Sequence, residues 1–181
     1  EERLKAIRAA GYNTFLLRSA DVAIDLLTDS GTSAMSTDQW AAYDAAHASS
    51  ANSSEFEHFV EVLQDIYGYQ QIIPTHQGRA AEHILSQIMI KPGQLVPGNM
   101  YFTTTKEHQE LAGGHFIDVI VDEAHVPQSD CLWKGNIDLG KIDKAVKERG
   151  AEGIAYISFE LAVNMAGGQP VSMDNMKEVY A

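Results

Sequence analysis

Apolar residues recur every three or four positions in several stretches of the chain, which is the spacing of an amphipathic helix. The clearest stretch covers residues 55–67, ends before Gly68, and places on one face Phe56, Phe59, Val60, Leu63 and Ile66. The same spacing predicts helices over residues 1–10, 80–89, 105–111 and 137–149, and another that starts at residue 172. Ser36 is a candidate N-cap for one more helix.

Short extended runs lie between the helices, and their pattern predicts strands. They occupy residues 71–73, 94–96, 99–103, 115–121 and 153–159, and two earlier runs cover residues 13–17 and 22–27. Because strands alternate with helices from residue 71 onward, we predict an α/β fold with a mostly parallel sheet and flanking helices.

Residues 45–54 are small and polar and follow neither period. They are predicted to form a flexible loop, with a weak extension of the preceding helix as the alternative. The loop separates an N-terminal helix and extended segment, residues 1–44, from a large domain over residues 55–181.

The chain is strongly acidic, with 13 Lys plus Arg against 25 Asp plus Glu among 181 residues and a formal net charge of -12. This charge, without any basic cluster, argues against a nucleic-acid or anionic-membrane surface. No apolar run approaches the ~20 residues that cross a bilayer, and Cys131 is the only cysteine. We therefore expect a cytoplasmic protein. The seven histidines lack the His-Glu-x-x-His spacing, so no metal is expected.

The segment Pro74-Thr75-His76-Gln77-Gly78-Arg79 joins an apolar run to a predicted helix. The first N–H groups of a helix have no partner within it, so a phosphate can bind there. Gly78 allows close approach of the backbone, and Arg79 adds a permanently charged guanidinium. A plain strand-to-helix turn with an exposed arginine explains the same residues, so other parts of the chain must decide.

Two more groups of candidate residues lie at or after the ends of predicted extended runs. They are Phe102 with Thr103, and Asn164 at the start of a glycine-rich loop over residues 164–170. Ligands of parallel sheets bind where strands end and helices begin, so one crevice could contain these residues and the turn at residues 77–79. An anion-binding turn at residues 77–79, the aromatic ring of Phe102 and the amide of Asn164 together indicate a planar phosphorylated cofactor.

At these residues the sequence resembles the tyrosine phenol-lyase and tryptophanase family of pyridoxal-phosphate enzymes, the β-eliminating lyases. The matching pieces keep one order along almost the whole chain, over residues 10–17, 25–32, 73–79, 98–105 and 163–173. The resemblance implies pyridoxal 5'-phosphate as cofactor and a pyridoxal-phosphate fold type I, of which residues 55–181 form part of the cofactor-binding large domain.

The resemblance also implies a role for particular residues of this chain. Gln77, Gly78 and Arg79 would hold the cofactor phosphate, Phe102 would stack on the pyridine ring, and Asn164 would bond the ring hydroxyl oxygen. On the substrate side, Thr103 would face the leaving group, and the residues near the amino-acid end of the substrate would be Thr28 and Ser30.

One loop departs from the family pattern. The family's Gly-Asp-Glu-Ala-Tyr stretch aligns with residues 46–50, which are Ala-His-Ala-Ser-Ser here. Ser50 replaces the tyrosine that acts as an acid, and Ala48 replaces the glutamate that helps hold a monovalent cation, so activity should not depend on potassium. His47 is a candidate acid–base residue in this loop, with a solvated loop histidine as the alternative.

The family's cofactor-bonding lysine and its aspartate at the pyridine nitrogen have no counterpart here, since none of the eight lysines lies in the matching context. Three explanations stay open: a subunit of an enzyme split over two polypeptides, a part of a longer protein, or an isolated half that no longer catalyses. We favour the split enzyme, which is incomplete without a complementary chain that carries the C-terminal half. Further oligomerisation, into a dimer of heterodimers or a larger assembly, is expected.

The expected function is that of a subunit or fragment of a pyridoxal-phosphate-dependent lyase that acts on an amino acid by β-elimination or β-replacement. This chain would supply the phosphate-binding and ring-stacking side of the site, and another polypeptide would supply the Schiff-base lysine. The alternative is a non-catalytic binding or regulatory subunit that retains the fold.

Overall fold

The computed structural model describes residues 1–24, 35–46 and 53–181. The chain divides into two compact units, Glu1–Ile73 and Pro74–Ala181. The flexible loop predicted over residues 45–54 falls largely outside the described residues. One helix ends at Ala45 on its N-terminal side, and another begins at Ser54 on its C-terminal side. The division of the sequence into residues 1–44 and 55–181 stays a prediction.

The first unit contains three helices, α1 (Glu2–Ala9), α2 (Thr37–Ala45) and α3 (Ser54–Tyr67). The predicted cap of α2 is confirmed, because Ser36 and Gln39 exchange side chain to backbone hydrogen bonds in a capping box. α3 ends at Gly68, as predicted. This glycine has a φ of 73°, the left-handed conformation that closes a helix.

The strand predicted over residues 13–17 is wrong. Thr14–Leu16 forms a 3-10 turn instead, because Asn13 Oδ1 accepts a hydrogen bond of 3.0 Å from the Phe15 N–H and caps the turn. The run predicted over residues 22–27 lies partly outside the described residues.

The apolar face predicted for α3 is not covered within its own unit. Among the described residues of the first unit none is buried, and Phe56 and Ile66 on α3 are 45% and 64% exposed. The amphipathic pattern is therefore present in this unit without the packing that such a pattern normally serves.

The second unit is a mixed α/β structure built on parallel strands, as the sequence predicted. β1 (Leu95–Gly98) pairs in parallel with β2 (His115–Asp118), with Leu95 opposite His115. On the other side of β1, residues 154–158 run parallel to it through bridges at Ile154 and Ser158. The helices of this unit are α4 (Gly78–Met89), α5 (Thr103–Leu111), α6 (Leu139–Arg149) and α7 (Met173–Tyr180).

Two predicted strands of this region are wrong. Residues 71–73 have no regular structure, and Ile73 is 81% exposed. Residues 99–102 connect β1 to α5, which begins at Thr103, so the strand predicted over residues 99–103 does not form. Met100 has a φ of 62°, which no strand accommodates, and its N–H donates to Asp118 Oδ1 over 3.1 Å.

The core of the second unit surrounds the sheet. Its most deeply buried apolar side chains are each at most 2% exposed: Val96, Val119, Ile120, Ile137 and Val163. A short antiparallel hairpin, β3 (Ala162–Val163) and β4 (Gln169–Pro170), frames the 3-10 turn Asn164–Ala166. No helix among the described residues is long and apolar enough to cross a membrane.

Two polar side chains, the buried Asn175 and the partly exposed Lys141, hold the helices that follow the sheet. Asn175, in the first turn of α7, accepts a hydrogen bond from the Ile137 N–H and donates one to the Ile137 carbonyl. Lys141 Nζ, on α6, donates to the Ile120 carbonyl and to Asp122 Oδ1, each over 2.6 Å. The hydrogen bond and the positive charge of Lys141 lower the pKa of Asp122. These contacts tie α6 to Ile120, just after β2, and α7 to Ile137, which forms a bridge with Ile120.

Candidate functional site

A cavity of about 450 Å³ lies where the parallel strands end. β1, β2 and residues 154–158 run in one direction, so the residues that follow Gly98, Asp118 and Ser158 come to the same edge of the sheet. Four aromatic side chains line the cavity: Tyr101, Phe102, Phe116 and Phe159. Its polar lining residues include Glu82, Lys106, Gln109, Ser158 and Glu160.

Two of the lining residues have acceptor atoms that nothing satisfies. Gln109 Oε1 and Glu160 Oε2 are buried and have no hydrogen-bond partner within the described part of the chain. Gln109 is fully buried, and its Nε2 donates to the Tyr156 hydroxyl over 3.3 Å. Buried polar atoms normally form hydrogen bonds, so these two oxygens are free to accept a hydrogen bond from a donor in the cavity.

Asn99 joins two loops, of which the one at Glu160 lines the cavity. It follows β1, is fully buried, and donates through Nδ2 to the Gly135 and Glu160 carbonyls, each over 2.8 Å. Its Oδ1 accepts from the Glu160 N–H over 2.8 Å. Glu160 in turn accepts a hydrogen bond of 2.9 Å from the Asn164 N–H through Oε1. One buried amide therefore ties the end of β1 to Gly135 and to Glu160 in the cavity wall and, through Glu160, to the start of the Asn164 turn.

Glu82, in the second turn of α4, joins this helix to the first turn of α5. Its two carboxylate oxygens accept from the hydroxyl groups of Thr104 and Thr105, over 2.7 and 2.6 Å. Glu82 lies one turn after Gly78 and Arg79, and Thr104 follows Phe102 and Thr103. The predicted phosphate-binding turn at residues 77–79 therefore lies at the start of α4, and Phe102 lies at the start of α5. The Glu82 carboxylate holds these two helices together.

Replacing Glu82 with alanine is expected to lower the free energy of unfolding by about 2 kcal/mol, the scale of two hydroxyl hydrogen bonds to a carboxylate. Urea denaturation of the full chain measures the change. The control is Glu107→Ala on the exposed side of α5, where a change within about 0.5 kcal/mol is expected. Equal effects of the two substitutions would show that the contact to the threonines does not hold the helices.

The N-terminus of α4 has unpaired donors. Gln77 provides no side-chain cap, and the N–H groups of Gly78 and Arg79 have no acceptor among the described residues. A Cβ placed on Gly78 would meet no atom within 4 Å, so the fold itself does not require glycine there. The Arg79 side chain is exposed and makes no hydrogen bond or ion pair with the described residues. This arrangement leaves space, backbone donors and a positive charge for an anion.

In the second unit, the helices without a side-chain cap are the two that lie along the cavity, α4 and α5. α1, in the first unit, also lacks such a cap. α5 resembles α4 in this respect, because Phe102 occupies its N-cap position and accepts no hydrogen bond through a side chain. In contrast, a serine or aspartate side chain caps each of α2, α3, α6 and α7. Within the second unit, the N-termini without a side-chain cap are therefore those of the two helices that the Glu82 carboxylate joins.

The predicted cofactor residues occupy different positions around this region. Phe102 is 38% exposed and lines the cavity, whereas Thr103 lines a separate shallow groove along α5. Asn164 is exposed at the start of its turn, and its side chain has no partner among the described residues. Gln77, Gly78 and Arg79 lie beside the helix junction rather than in the cavity lining. Their roles with a cofactor stay predictions.

Three other predicted site residues lie outside the described residues. They are Thr28, Ser30 and His47. Their assignment to the substrate and to acid–base chemistry stays a prediction.

The lysines of this chain are engaged elsewhere or exposed. Lys134 is the buried one, and its ammonium donates to the carbonyls of Val126 and Pro127 over 2.9 and 3.1 Å. Lys106 is the lysine that lines the cavity, with Nζ 4.9 Å from the centre of the Tyr101 ring and 3.8 Å from Glu110 Oε1. The amine of Lys134 is thus occupied by carbonyls, and that of Lys106 by an aromatic ring and a carboxylate.

The residues that organise the cavity were not singled out from the sequence. Asn99 and Glu160 meet across 61 positions of the chain, and Glu82 meets Thr104 across 22 positions. A polar residue directly after an apolar run marks Asn99 as a candidate, but nothing local identifies its partners. Within the described residues, no three His, Cys, Asp or Glu side chains come close enough together to bind a metal ion. His83 and His108 contact each other, with their Nδ1 atoms 3.3 Å apart.

Comparison with known proteins identifies a family. The model of the family described as Beta-eliminating lyase matches residues 25–181. The tyrosine phenol-lyase of Intrasporangium calvum is 61% identical over 179 residues, which are 99% of this chain and 38% of that protein. The tyrosine phenol-lyases of Symbiobacterium thermophilum and Pasteurella multocida are 58% and 56% identical, over 99% and 100% of this chain and 39% and 40% of their own lengths. The chain therefore spans about two fifths of the length of these curated relatives.

Proposed function

This chain belongs to the β-eliminating lyase family, and we propose from that premise that it forms the phosphate-binding and ring-stacking side of a lyase active site. Pyridoxal phosphate is the cofactor of the family. The proposed fold is the corresponding part of the large domain of a pyridoxal-phosphate enzyme of fold type I.

The uncapped N-terminus of α4 is the observation that carries the proposal. The free N–H groups of Gly78 and Arg79, the open space beside Gly78 and the unpaired guanidinium of Arg79 fit a dianionic phosphate. Gln77 is proposed to complete this phosphate-binding turn. The residues present therefore fit the cofactor at the end where its negative charge is concentrated.

The ring of the cofactor is proposed to lie against Phe102, with the Asn164 amide directed at the ring hydroxyl oxygen. Both side chains are open to a ligand, since Phe102 is 38% exposed and the Asn164 amide has no partner among the described residues. When bound, pyridoxal phosphate supplies an electron-withdrawing ring that stabilises negative charge at the substrate α-carbon. The chain's own contribution is to orient that ring through stacking and one amide hydrogen bond.

A complementary polypeptide is proposed to supply the rest of the site. We define it as the polypeptide that corresponds to the part of the relatives outside the matched region, carried on a second chain or on further sequence of the same protein. It would provide the cofactor-bonding lysine and the carboxylate at the pyridine nitrogen. The positions of Lys134 and Lys106 support this division, because the amines of both are already engaged. A split, cytoplasmic hetero-oligomer remains the favoured arrangement.

The reaction is proposed to be β-elimination or β-replacement on an amino acid. Thr28 and Ser30 would lie near the amino-acid end of the substrate, and Thr103 near its leaving group. The related proteins are named tyrosine phenol-lyases. Because Ser50 replaces the family's acidic tyrosine, phenol release itself is not the favoured outcome here, and His47 is the proposed acid–base residue of the altered loop.

Co-expression tests the function. The partner is the C-terminal portion of the Intrasporangium calvum tyrosine phenol-lyase, which lies beyond the region matched by this chain. The expected product is a complex that retains pyridoxal phosphate after gel filtration, seen by its visible absorbance, and that releases ammonia from an amino acid with a β-leaving group. A complex that binds the cofactor without turnover would favour the regulatory alternative. A complex that binds none would refute the proposal.

Replacing Gly78 with alanine distinguishes an effect on the stability of the chain from an effect on cofactor binding. The stability of the chain is expected to stay the same or rise by about 0.5 kcal/mol, because alanine favours a helix and its Cβ meets no atom. Retention of pyridoxal phosphate by the complex should fall at least tenfold, because the methyl group occupies space beside the phosphate. Equilibrium dialysis measures the retention.

The matched control is Gly140→Ala in the first turn of α6, whose N-terminus Asp138 already caps. It should leave cofactor retention unchanged. If Gly78→Ala also leaves retention unchanged while the wild-type complex binds the cofactor, the phosphate lies elsewhere.

A further inference from the structure

Two histidine side chains meet where α4 packs against α5. His83, on α4, and His108, on α5, have Nδ1 atoms 3.3 Å apart, with ring centres 5.0 Å apart and ring planes inclined at 68°. The same two helices are joined by the hydrogen bonds from Thr104 and Thr105 to Glu82. Thr104 and His108 are four residues apart on α5, so both lie on the side of this helix that faces α4. The Glu82 contacts therefore help to set the spacing of the helices that carry the two imidazoles.

A hydrogen bond is one explanation of the contact between the two rings. It requires that one imidazole carries its proton on Nδ1 and that the other carries its proton on Nε2, because a neutral imidazole has one donor and one acceptor nitrogen. The separation of 3.3 Å is longer than the range of about 2.7–3.2 Å that is usual for N–H donors in proteins. Such a bond is therefore a weak competitor for the two nitrogen lone pairs.

The same separation fits two ligands of one metal ion. Zn²⁺ binds imidazole nitrogen at about 2.0–2.1 Å with tetrahedral geometry, which places two ligating nitrogens about 3.3–3.4 Å apart. The Nδ1 atoms of His83 and His108 already lie at this distance. When both rings carry their proton on Nε2, both Nδ1 lone pairs are available to the metal, and binding to the neutral rings releases no proton.

The two nitrogens belong to side chains that solvent reaches, since His83 is exposed and His108 is partly exposed. Among the described residues, no third His, Cys, Asp or Glu side chain joins them, so water would complete the coordination. Two protein ligands hold a metal ion less tightly than the four of a structural zinc site. The His-Glu-x-x-His spacing concerns histidines of one helix, whereas these two are 25 positions apart on different helices.

We propose that His83 and His108 form a two-histidine site for a divalent transition-metal ion such as Zn²⁺, bound through both Nδ1 atoms. The bound ion links α4 to α5. Imidazole nitrogen also suits Cu²⁺ and Ni²⁺, so the site selects this class of ion and excludes Mg²⁺ and Ca²⁺, which prefer oxygen ligands. The inference is independent of the proposed function, because no part of it requires the cofactor or a second polypeptide.

Imidazole nitrogen NMR of the full chain, titrated with Zn²⁺ at about pH 8, tests the site. The Nδ1 resonances of His83 and His108 are expected to change together, at one Zn²⁺ concentration, while Nε2 of both rings keeps its proton. Resonances that change at different concentrations would show two separate surface histidines and would overturn the proposal. The absence of any change up to about 1 mM Zn²⁺ would show a hydrogen bond only, and would also overturn it.

Substitutions of single histidines show whether the two rings act together. In His83→Ala, the Zn²⁺ concentration that half-saturates His108 should rise at least tenfold, because one of two ligands is lost. The matched control is His58→Ala, which removes an exposed histidine of α3 whose side chain is 77% exposed, and it should change this concentration less than twofold. Equal effects of the two substitutions would overturn the proposal.

Thermal unfolding provides a second measurement on the same samples. Zn²⁺ should raise the Tm of the parent chain and of His58→Ala, because the ion binds the pair of nitrogens only when α4 and α5 are folded together. The Tm of His83→Ala should not rise. An equal rise in all three chains would place the ion elsewhere and overturn the proposal.

Discussion

Replacing Asn99 with alanine is expected to lower the free energy of unfolding of the chain by about 3 kcal/mol. The substitution removes three hydrogen bonds of 2.8 Å and leaves the Gly135 carbonyl, the Glu160 carbonyl and the Glu160 N–H without their partner. Each polar group left unpaired in a buried position costs about 1–3 kcal/mol, and water replaces part of the loss beside the cavity. Urea denaturation of the full chain measures the difference.

Asn99→Asp and Asn164→Ala make this prediction specific. Aspartate keeps the acceptor but loses both donors and places a charge against two carbonyl oxygens, so Asn99→Asp should destabilise at least as much as alanine. Asn164→Ala should stay within about 0.5 kcal/mol of the parent chain, because the Asn164 side chain is exposed and has no partner among the described residues. A loss below 1 kcal/mol for both Asn99 variants would show that the amide does not hold the two loops.

Replacing Arg79 with alanine is expected to weaken retention of pyridoxal phosphate by the co-expressed complex by about 2 kcal/mol, roughly thirtyfold. The guanidinium at the start of α4 has no partner among the described residues, so the proposed phosphate is the anion that it would meet. The same substitution should leave the stability of the chain unchanged, because no contact within the chain is lost. Equilibrium dialysis measures retention, and urea denaturation measures stability.

The control for this substitution is Arg149→Ala. Arg149 is also exposed and without an ion pair among the described residues, but it lies in the last turn of α6, away from the cavity lining. Its removal should leave cofactor retention unchanged. Equal retention by the Arg79→Ala complex and the parent complex would show that the first turn of α4 does not bind the phosphate.

The sequence predicted the helices well because a helix depends on neighbours three or four residues away. The 3.6-residue pattern, the Ser36 cap and the Gly68 terminus were all read from local sequence, and the structure confirms them. α4 and α5 begin two residues earlier than predicted, at Gly78 and Thr103. That shift matters for the site, because it places Gly78 and Arg79 in the first turn of α4 rather than before it.

The sequence failed where an extended-looking run lacks a partner strand. Residues 71–73 and 13–17 contain the same residue types as real strands, but a strand forms only when another segment accepts its hydrogen bonds. Residues 99–102 illustrate a second cause of error. The Asp118 carboxylate, 18 positions away, accepts the Met100 N–H, and the left-handed conformation of Met100 ends the strand.

The sequence by itself determined the family, the alternation of strands and helices, and the candidate phosphate turn at residues 77–79. These features depend on the order and spacing of residues along the chain. Only the tertiary structure decided how the turn is supported. Glu82 joins α4 to α5, and the Asn99 side chain joins the loops at Gly135 and Glu160. The Asn164 side chain, in contrast, makes no hydrogen bond with the described residues. The physical reason is that these contacts bring together residues 22 to 61 positions apart, which no local pattern specifies.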